Sequence, residues 1–348
     1  MTRALVITAD PLLLEELARL AAAAGAATEP ATEMATALRA WPRAPLVLLG
    51  ADLLPQVAAM SPPRRDGVYV VSWGPPAEGA YRPALQVGAE TVLELPTATP
   101  IAADLLADLG DGARPEGAVL GVVGGSGGVG ATTFAAALAA LGAGRGPTVL
   151  LDTDPLGPGA DRVLGFEDVP GVRWAELSAI AGRLGARALR EALPRSGHLG
   201  LLGWDHGGSP TLEPAVVREV LSAARRGHEL VVVDLPRSLG ESTEDLLTRC
   251  DLILVMVRAT VTGIASASRL VPQFPDRERV RLVVRGRAAD PEAVGRALDL
   301  PVLASVADQR GLSEAVDLGL GPVRSHRSPL ARAAAQVLAR SRMQAVAA

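Results

Sequence analysis

The sequence predicts an α/β protein made of two successive domains, each built on a mostly parallel, doubly wound sheet. Three observations carry this. Short Val/Leu/Ile runs alternate with Ala/Leu/Arg segments of helical character, and near-continuous apolar strands of that kind belong to sheets covered on both faces. The alternation breaks at Gly110-Asp111-Gly112-Ala113-Arg114-Pro115-Glu116-Gly117, whose glycine, proline and charge have the character of a linker. Beyond it, a glycine-rich turn joins a strand to a helix, the usual construction of a doubly wound sheet. A chain of 348 residues, 49% of them apolar, can fill two cores, so domains are expected at 1–110 and 118–348 with a linker at 111–117.

In the first series, strands are expected at Arg3 to Thr8, Leu46 to Leu49, Val68 to Ser72 and Thr91 to Leu95, with helices at Leu13 to Ala24 and near Ile101 to Leu109. The alanine-rich patches Ala21 to Ala27 and Ala135 to Ala140 belong to closely packed helices, since alanine is the best helix former. This series resembles the receiver domain of response regulators, a flavodoxin-like fold, and Asp10 follows the first strand where that family keeps an acidic metal-binding residue. The resemblance implies a phospho-acceptor aspartate at the end of the third strand, but Leu49 leads into Gly50 and the next carboxylate is Asp52, in the loop. Leu95-Pro96 likewise stands where receivers carry Lys-Pro. A pseudo-receiver serving as an interaction module is therefore expected, in place of a phosphorylated switch.

The second series carries the chemistry. Ala118 to Val123 forms a strand, Gly124-Gly125-Ser126-Gly127-Gly128-Val129-Gly130 a turn, and Thr132 to Leu141 a helix. From Gly125 to Thr132 the run fits the phosphate-binding pattern G-x-x-x-x-G-K-[ST] except at the lysine, where Ala131 stands. All 34 basic residues of the chain are arginine. The expected phosphate cradle comprises Gly125, Ser126, Gly127, Gly128, Val129, Gly130, Ala131, Thr132 and Thr133, because backbone N–H groups and a helix N-terminus bind phosphate without a side chain. Thr132 would ligate Mg²⁺ and Thr133 assist at the α-phosphate of ATP or ADP. The missing lysine removes a charge-assisted contact of roughly 1.5–3 kcal/mol and the stabilisation of charge developing at the γ-phosphate, so binding should suffer less than catalysis. A ligand-free glycine turn explains the glycines alone, not the complete strand, loop and helix.

Three carboxylates leave the carboxyl ends of predicted strands, the edge at which such sheets bind ligands: Asp152 and Asp154 after Thr148 to Leu151, and Asp234 after Leu230 to Val233. Asp234 suits a water-mediated Mg²⁺ contact, Asp152 an outer-sphere contact to the same metal, and Asp154 the orientation of an attacking water. If the site is active, Asp154 and Asp234 are the catalytic candidates. Helix capping or loop solubility would account for one such aspartate more readily than for three.

This order of glycine loop, Asp-x-Asp and Val-Val-Asp-x-Pro resembles the deviant-Walker P-loop NTPases that include MinD and ParA. Within them, DTDPLGPGADRVLG at Asp152 to Gly165, GVRWAEL at Gly171 to Leu177, the receiver-like front and the late RSPLARAA resemble actinobacterial CpaE-like, or septum-site-determining, proteins. The resemblance implies an ATP-binding localisation factor for cell division or for pilus and secretion machinery, acting as a homodimer with those partners. It also implies a signature lysine that reaches the partner's phosphates, and here Ser126 occupies that position. Hydrolysis is expected to be weak or absent. Two alternatives stay open: an active Mg-dependent ATPase whose arginines, Arg145, Arg162, Arg237 or Arg258, replace the lysines, and a ParA-like DNA partition protein.

A net charge of −4 disfavours DNA binding over the general surface. The single cysteine, Cys250, has no internal disulfide partner and should be a buried, inert thiol in a reducing compartment. The N-terminus runs directly into a strand pattern without a secretory signal, and no apolar run has membrane-spanning length, so a cytoplasmic location is expected. Ser328 to Ala348 places Leu330, Val337 and Leu338 at helical spacing, with Arg332, Arg340 and Arg342 interspersed along the segment. Such a segment fits peripheral membrane contact or a last helix docked on the sheet, and its narrow, alanine-rich apolar face favours docking.

Overall fold

The computed structural model describes residues 3–110, 116–177, 184–204, 212–238, 240–286 and 290–347, the side chains of residues 78, 110 and 342–347 excepted. Of the predicted linker, 111–115 lie outside the described residues. The chain divides into two compact units, residues 1–115 with 183–188, and 116–182 with 189–348.

The first unit holds strands β1 (Arg3–Ile7), β2 (Ala27–Pro30), β3 (Leu46–Gly50), β4 (Val68–Trp73) and β5 (Thr91–Leu95), all parallel in the order β2-β1-β3-β4-β5. The strands read as unbroken apolar runs because both faces are covered. Ala4, Val6, Leu46 and Leu48 enter one core, while Leu5, Ile7, Val47 and Leu49 enter the other. The helix expected through the Ala21 to Ala27 patch stops at Ala23, and a turn through Gly25, at φ 68°, redirects the chain so that Ala27 opens β2. That strand carries Thr28, Glu29 and Pro30, a composition tolerated at a sheet edge and invisible to a search for apolar runs.

The second unit contains β6 (Ala118–Gly124), β7 (Thr148–Asp152), β8 (Arg195–Ser196), β9 (Leu199–Leu202), β10 (Leu230–Leu235), β11 (Leu252–Arg258), β12 (Val280–Arg285) and β13 (Val302–Val306). Their order is β13-β12-β11-β6-β10-β7-β9-β8, parallel except for the short β8–β9 hairpin. This arrangement brings the carboxyl ends of β7, β10, β6, β11 and β12 to one edge. The helix Ala131–Ala143 is apolar on nearly every side, with Phe134 to Ala139 buried, and its alanines allow close approach to the sheet.

The last helix, Pro329–Ala347, is docked on that core. Leu330, Val337 and Leu338, the residues that would have formed a membrane-facing stripe, are buried with Phe134 and Leu138, and Arg340 donates to the Leu303 carbonyl at 2.6 Å. Among the described residues no helix is long and apolar enough to cross a membrane. Cys250 is fully buried, and burial pushes its thiol up to about 12, which keeps it protonated and unreactive at neutral pH.

Candidate functional site

The glycine turn follows β6 and ends in the helix Ala131–Ala143, as the phosphate-loop pattern requires. Gly128 and Gly130 adopt φ of 67° and 95°, values that L side chains rarely take, and Gly130 is the helix N-cap. Gly125 donates to the Met256 carbonyl at 2.8 Å, fastening the start of the turn to β11. Beyond it, none of the backbone N–H groups from Ser126 to Thr133 donates to an acceptor among the described residues. A side chain placed at Gly127 or Gly128 would meet nothing within 4 Å. A row of free donors at a helix N-terminus, with open space before it, is a cradle for an anion.

The carboxylates converge beside this loop. Asp152 and Asp234 are register partners on β7 and β10, with 1% and 2% of their surface exposed. Asp152 accepts from the Asp154 and Ala160 N–H groups at 3.2 and 2.8 Å. Burial nevertheless raises its carboxyl to about 6, against those two hydrogen bonds. Burial also pushes Asp234 well above the ordinary carboxylate range, Asp152 pushes the same way, and the Thr132 side chain opposes both by hydrogen bonding to it. Oδ2 of Asp234 is buried without a hydrogen-bond partner. An orphaned carboxylate oxygen next to a threonine at a helix N-terminus fits a cation or a cation-bound water. No group of three or more His, Cys, Asp or Glu among the described residues is arranged to hold a metal by itself. Mg²⁺ would take its remaining ligands from phosphate and water, its common mode with one or two carboxylates.

Two residues to which the sequence motifs gave no role hold these carboxylates in place. Thr153 donates to the Asp234 carbonyl through both Oγ1 and its backbone N–H, at 2.7 and 3.0 Å, tying the ends of β7 and β10 together. Trp174, within the GVRWAEL segment, donates from Nε1 to the Asp152 carbonyl at 2.7 Å. Asp154 is partly exposed and accepts from the Leu156 N–H at 3.1 Å in the loop after β7.

Of the four arginines considered as lysine substitutes, Arg258 alone reaches the loop, donating to the Gly128 carbonyl at 3.3 Å. Arg145 follows the C-terminal end of the helix that begins at the loop, roughly 20 Å away along its axis. Arg162 lines a surface hollow with Glu167, Asp168 and Asp317, and Arg237 donates to Ser266 at 3.1 Å. Arg285, which no sequence pattern singles out, donates to the Val129 carbonyl at 2.8 Å.

The first unit places its candidate residues differently from a phosphorylatable receiver. Asp10 caps the helix Pro11–Ala23, accepting from Leu12 and Leu13 at 2.9 and 3.3 Å, so it serves the backbone. Asp52 folds back over the sheet edge, accepting from Thr8 Oγ1 at 2.9 Å and the Ala9 N–H at 2.7 Å. A Cβ at Gly50 would lie 2.1 Å from Oδ1 of Asp52. The carboxylate of Asp52 occupies the space that a side chain at position 50 would need.

Residues 7–117 match the family described as the Rv3660c-like, CheY-like N-terminal domain. The chain is 35% identical to the Mycobacterium tuberculosis protein Rv3660c over 340 residues, covering 94% of this chain and 95% of that one. Among solved structures, a ParA family ATPase from Chlorobium tepidum superposes with a TM-score of 0.57 at 16% identity, over 64% of this chain and 97% of that one. The septum site-determining protein MinD of Pyrococcus horikoshii, complexed with Mg-ADP, gives 0.53 at 19% identity, over 66% and 97%. These likenesses establish the predicted fold class: a CheY-like N-terminal domain followed by a mostly parallel α/β domain of the MinD/ParA P-loop type.

Proposed function

The chain belongs to the family of the Mycobacterium tuberculosis protein Rv3660c, and on that premise we propose that it is an ATP-binding localisation factor of the MinD/ParA class. The observation that carries this reading is the run of undonated N–H groups from Ser126 to Thr133 beside the orphaned Oδ2 of Asp234. In this reading Gly125 to Thr133 hold the phosphates, Thr132 and Asp234 hold Mg²⁺, directly or through water, and Asp152 contributes from farther out. The bound Mg²⁺ would neutralise phosphate charge. Thr153 and Trp174 keep the two buried aspartates in register.

Nucleotide occupancy then gates association with a partner, and turnover is slow because neither Ser126 nor Ala131 brings a cation to the phosphates. The work served is septum placement or the siting of pilus and secretion machinery, as in CpaE-like proteins. Residues 1–110 act as the partner-reading pseudo-receiver, 111–117 as linker and 118–348 as the nucleotide domain, which pairs with a second copy when loaded. Calorimetry on the full chain should record Mg-ATP binding, and Thr132→Ala should weaken it at least tenfold. Phosphate release in the same sample should stay at background. Absence of Mg-ATP binding by the parent chain would sink the reading.

Arg258 favours a second reading, a hydrolysing ATPase, because it brings one cation to the loop. Robust phosphate release that Asp154→Ala abolishes would select it over the slow scaffold.

A further inference from the structure

The loop without a lysine has two guanidinium groups on its carbonyl side. Arg258 and Arg285 end β11 and β12 and are register partners in that parallel pair. Register partners in a parallel pair project to the same face of a sheet, so the two side chains leave its edge together. They grasp consecutive carbonyls of the turn, Arg258 that of Gly128 at 3.3 Å and Arg285 that of Val129 at 2.8 Å. A trans peptide points its N–H opposite to its C=O. Each of these bonds therefore aims the next N–H, of Val129 and of Gly130, away from the arginines, and neither has an acceptor among the described residues.

Charge supports the same assignment. Two neighbouring guanidinium groups repel unless an anion lies close. Arg285 has Asp308, 67% exposed, at 3.3 Å, whereas Arg258 has no carboxylate partner among the described residues. The glycine at position 130 fits this arrangement, since a Cβ there would stand 2.7 Å from Nη1 of Arg285. On the other side of the loop, the buried, unpartnered Oδ2 of Asp234 marks where a cation accompanying the anion would bind.

We propose that Arg258 and Arg285 are a pair of positioning residues for a polyphosphate in the glycine loop, orienting the N–H groups of Val129 and Gly130 and supplying from behind the positive charge that Ala131 and Ser126 do not. The inference rests on the nucleotide reading above. A guanidinium that donates into a peptide carbonyl polarises that peptide and strengthens its N–H as a donor, so charge is transmitted without touching the phosphate.

The test uses the full chain, with Mg-ADP and Mg-ATP as probes, in calorimetry over a range of salt concentrations. Arg285→Met and Arg258→Met are each expected to weaken ATP binding about tenfold, the size of one charge-assisted contact, and to flatten its salt dependence. Arg285→Lys keeps the charge and should stay within about threefold of the parent with the parental salt slope. A residue that merely packs the loop would not separate Lys from Met in this way. If both Met variants bind ATP as the parent does, or if Lys is as weak as Met, the pair has no such role and the nucleotide reading survives. A parent chain that binds neither ADP nor ATP overturns both.

Discussion

Gly50→Asp, which restores an acceptor carboxylate at the end of β3, is expected to destabilise the first unit by about 3 kcal/mol or more and to create no phosphorylation switch. A Cβ at position 50 would stand 2.1 Å from Asp52 Oδ1 and 2.7 Å from Thr8 Oγ1. Overpacking of this kind typically costs about 1–3 kcal/mol, and a second carboxylate against the first adds like-charge repulsion. The clash displaces Asp52 from Thr8 and Ala9, losing both of its hydrogen bonds. Denaturant unfolding of the full chain should show the transition of this unit shifted to lower denaturant. The double variant Gly50→Asp with Asp52→Gly should recover much of the loss, because it empties the occupied space. Parental stability of Gly50→Asp, or stoichiometric labelling by a small phosphodonor, would refute the account.

The second large effect belongs to Asp152 and depends on pH. Its folded carboxyl, raised to about 6, stands above the ordinary value of 3.8, so the folded state retains a proton that the unfolded chain releases. Folded and unfolded states are both protonated well below pH 4, where the group contributes no difference. As pH rises from 4 through 6 the unfolded chain gains by ionising first, and the parent loses about 3 kcal/mol of stability, because each tenfold difference in proton affinity between the two states is worth about 1.4 kcal/mol. Asparagine does not titrate. The stability of Asp152→Asn relative to the parent should therefore grow by about 2–3 kcal/mol between pH 4 and 7, on top of any constant offset from its altered hydrogen bonds to Asp154 and Ala160, and relief of Asp234 from the Asp152 charge adds in the same direction. His228, lowered to about 4 by burial, contributes its own slope over the same window, but it does so in both proteins and cancels in the difference. A difference that stays flat from pH 4 to 7, measured by denaturant unfolding, would contradict the burial of a strained carboxyl here.

How much of this is legible in the sequence varies with the range of the interaction. The apolar runs of β1, β3, β4 and β5 announce themselves because each strand meets a core on both faces. The edge strand β2 does not, since Thr28, Glu29 and Pro30 face no continuous core. Asp10 suggests a metal-site residue by analogy, yet it stands one residue before a helix, where an aspartate satisfies backbone N–H groups, and that local use prevails. The amphipathic spacing of the last helix is plain in the sequence, but spacing alone gives no occupant for an apolar face, and the core of the domain itself takes Leu330, Val337 and Leu338.

The sequence by itself determined the alternation of strands and helices, the two-domain α/β class, the glycine loop that lacks a lysine, and the aspartates at strand ends. All of these are written within a few consecutive residues, through side-chain alternation and the backbone freedom of glycine. Only the tertiary structure decided which distant groups share a site. The order β12-β11-β6-β10-β7 sets Arg258 and Arg285 side by side against Gly128 and Val129, joins Thr153 to Asp234, and leaves Oδ2 of Asp234 alone in the interior. Parallel strands are joined by long crossovers, and their order and register come from packing both faces of the sheet at once, which no local pattern encodes.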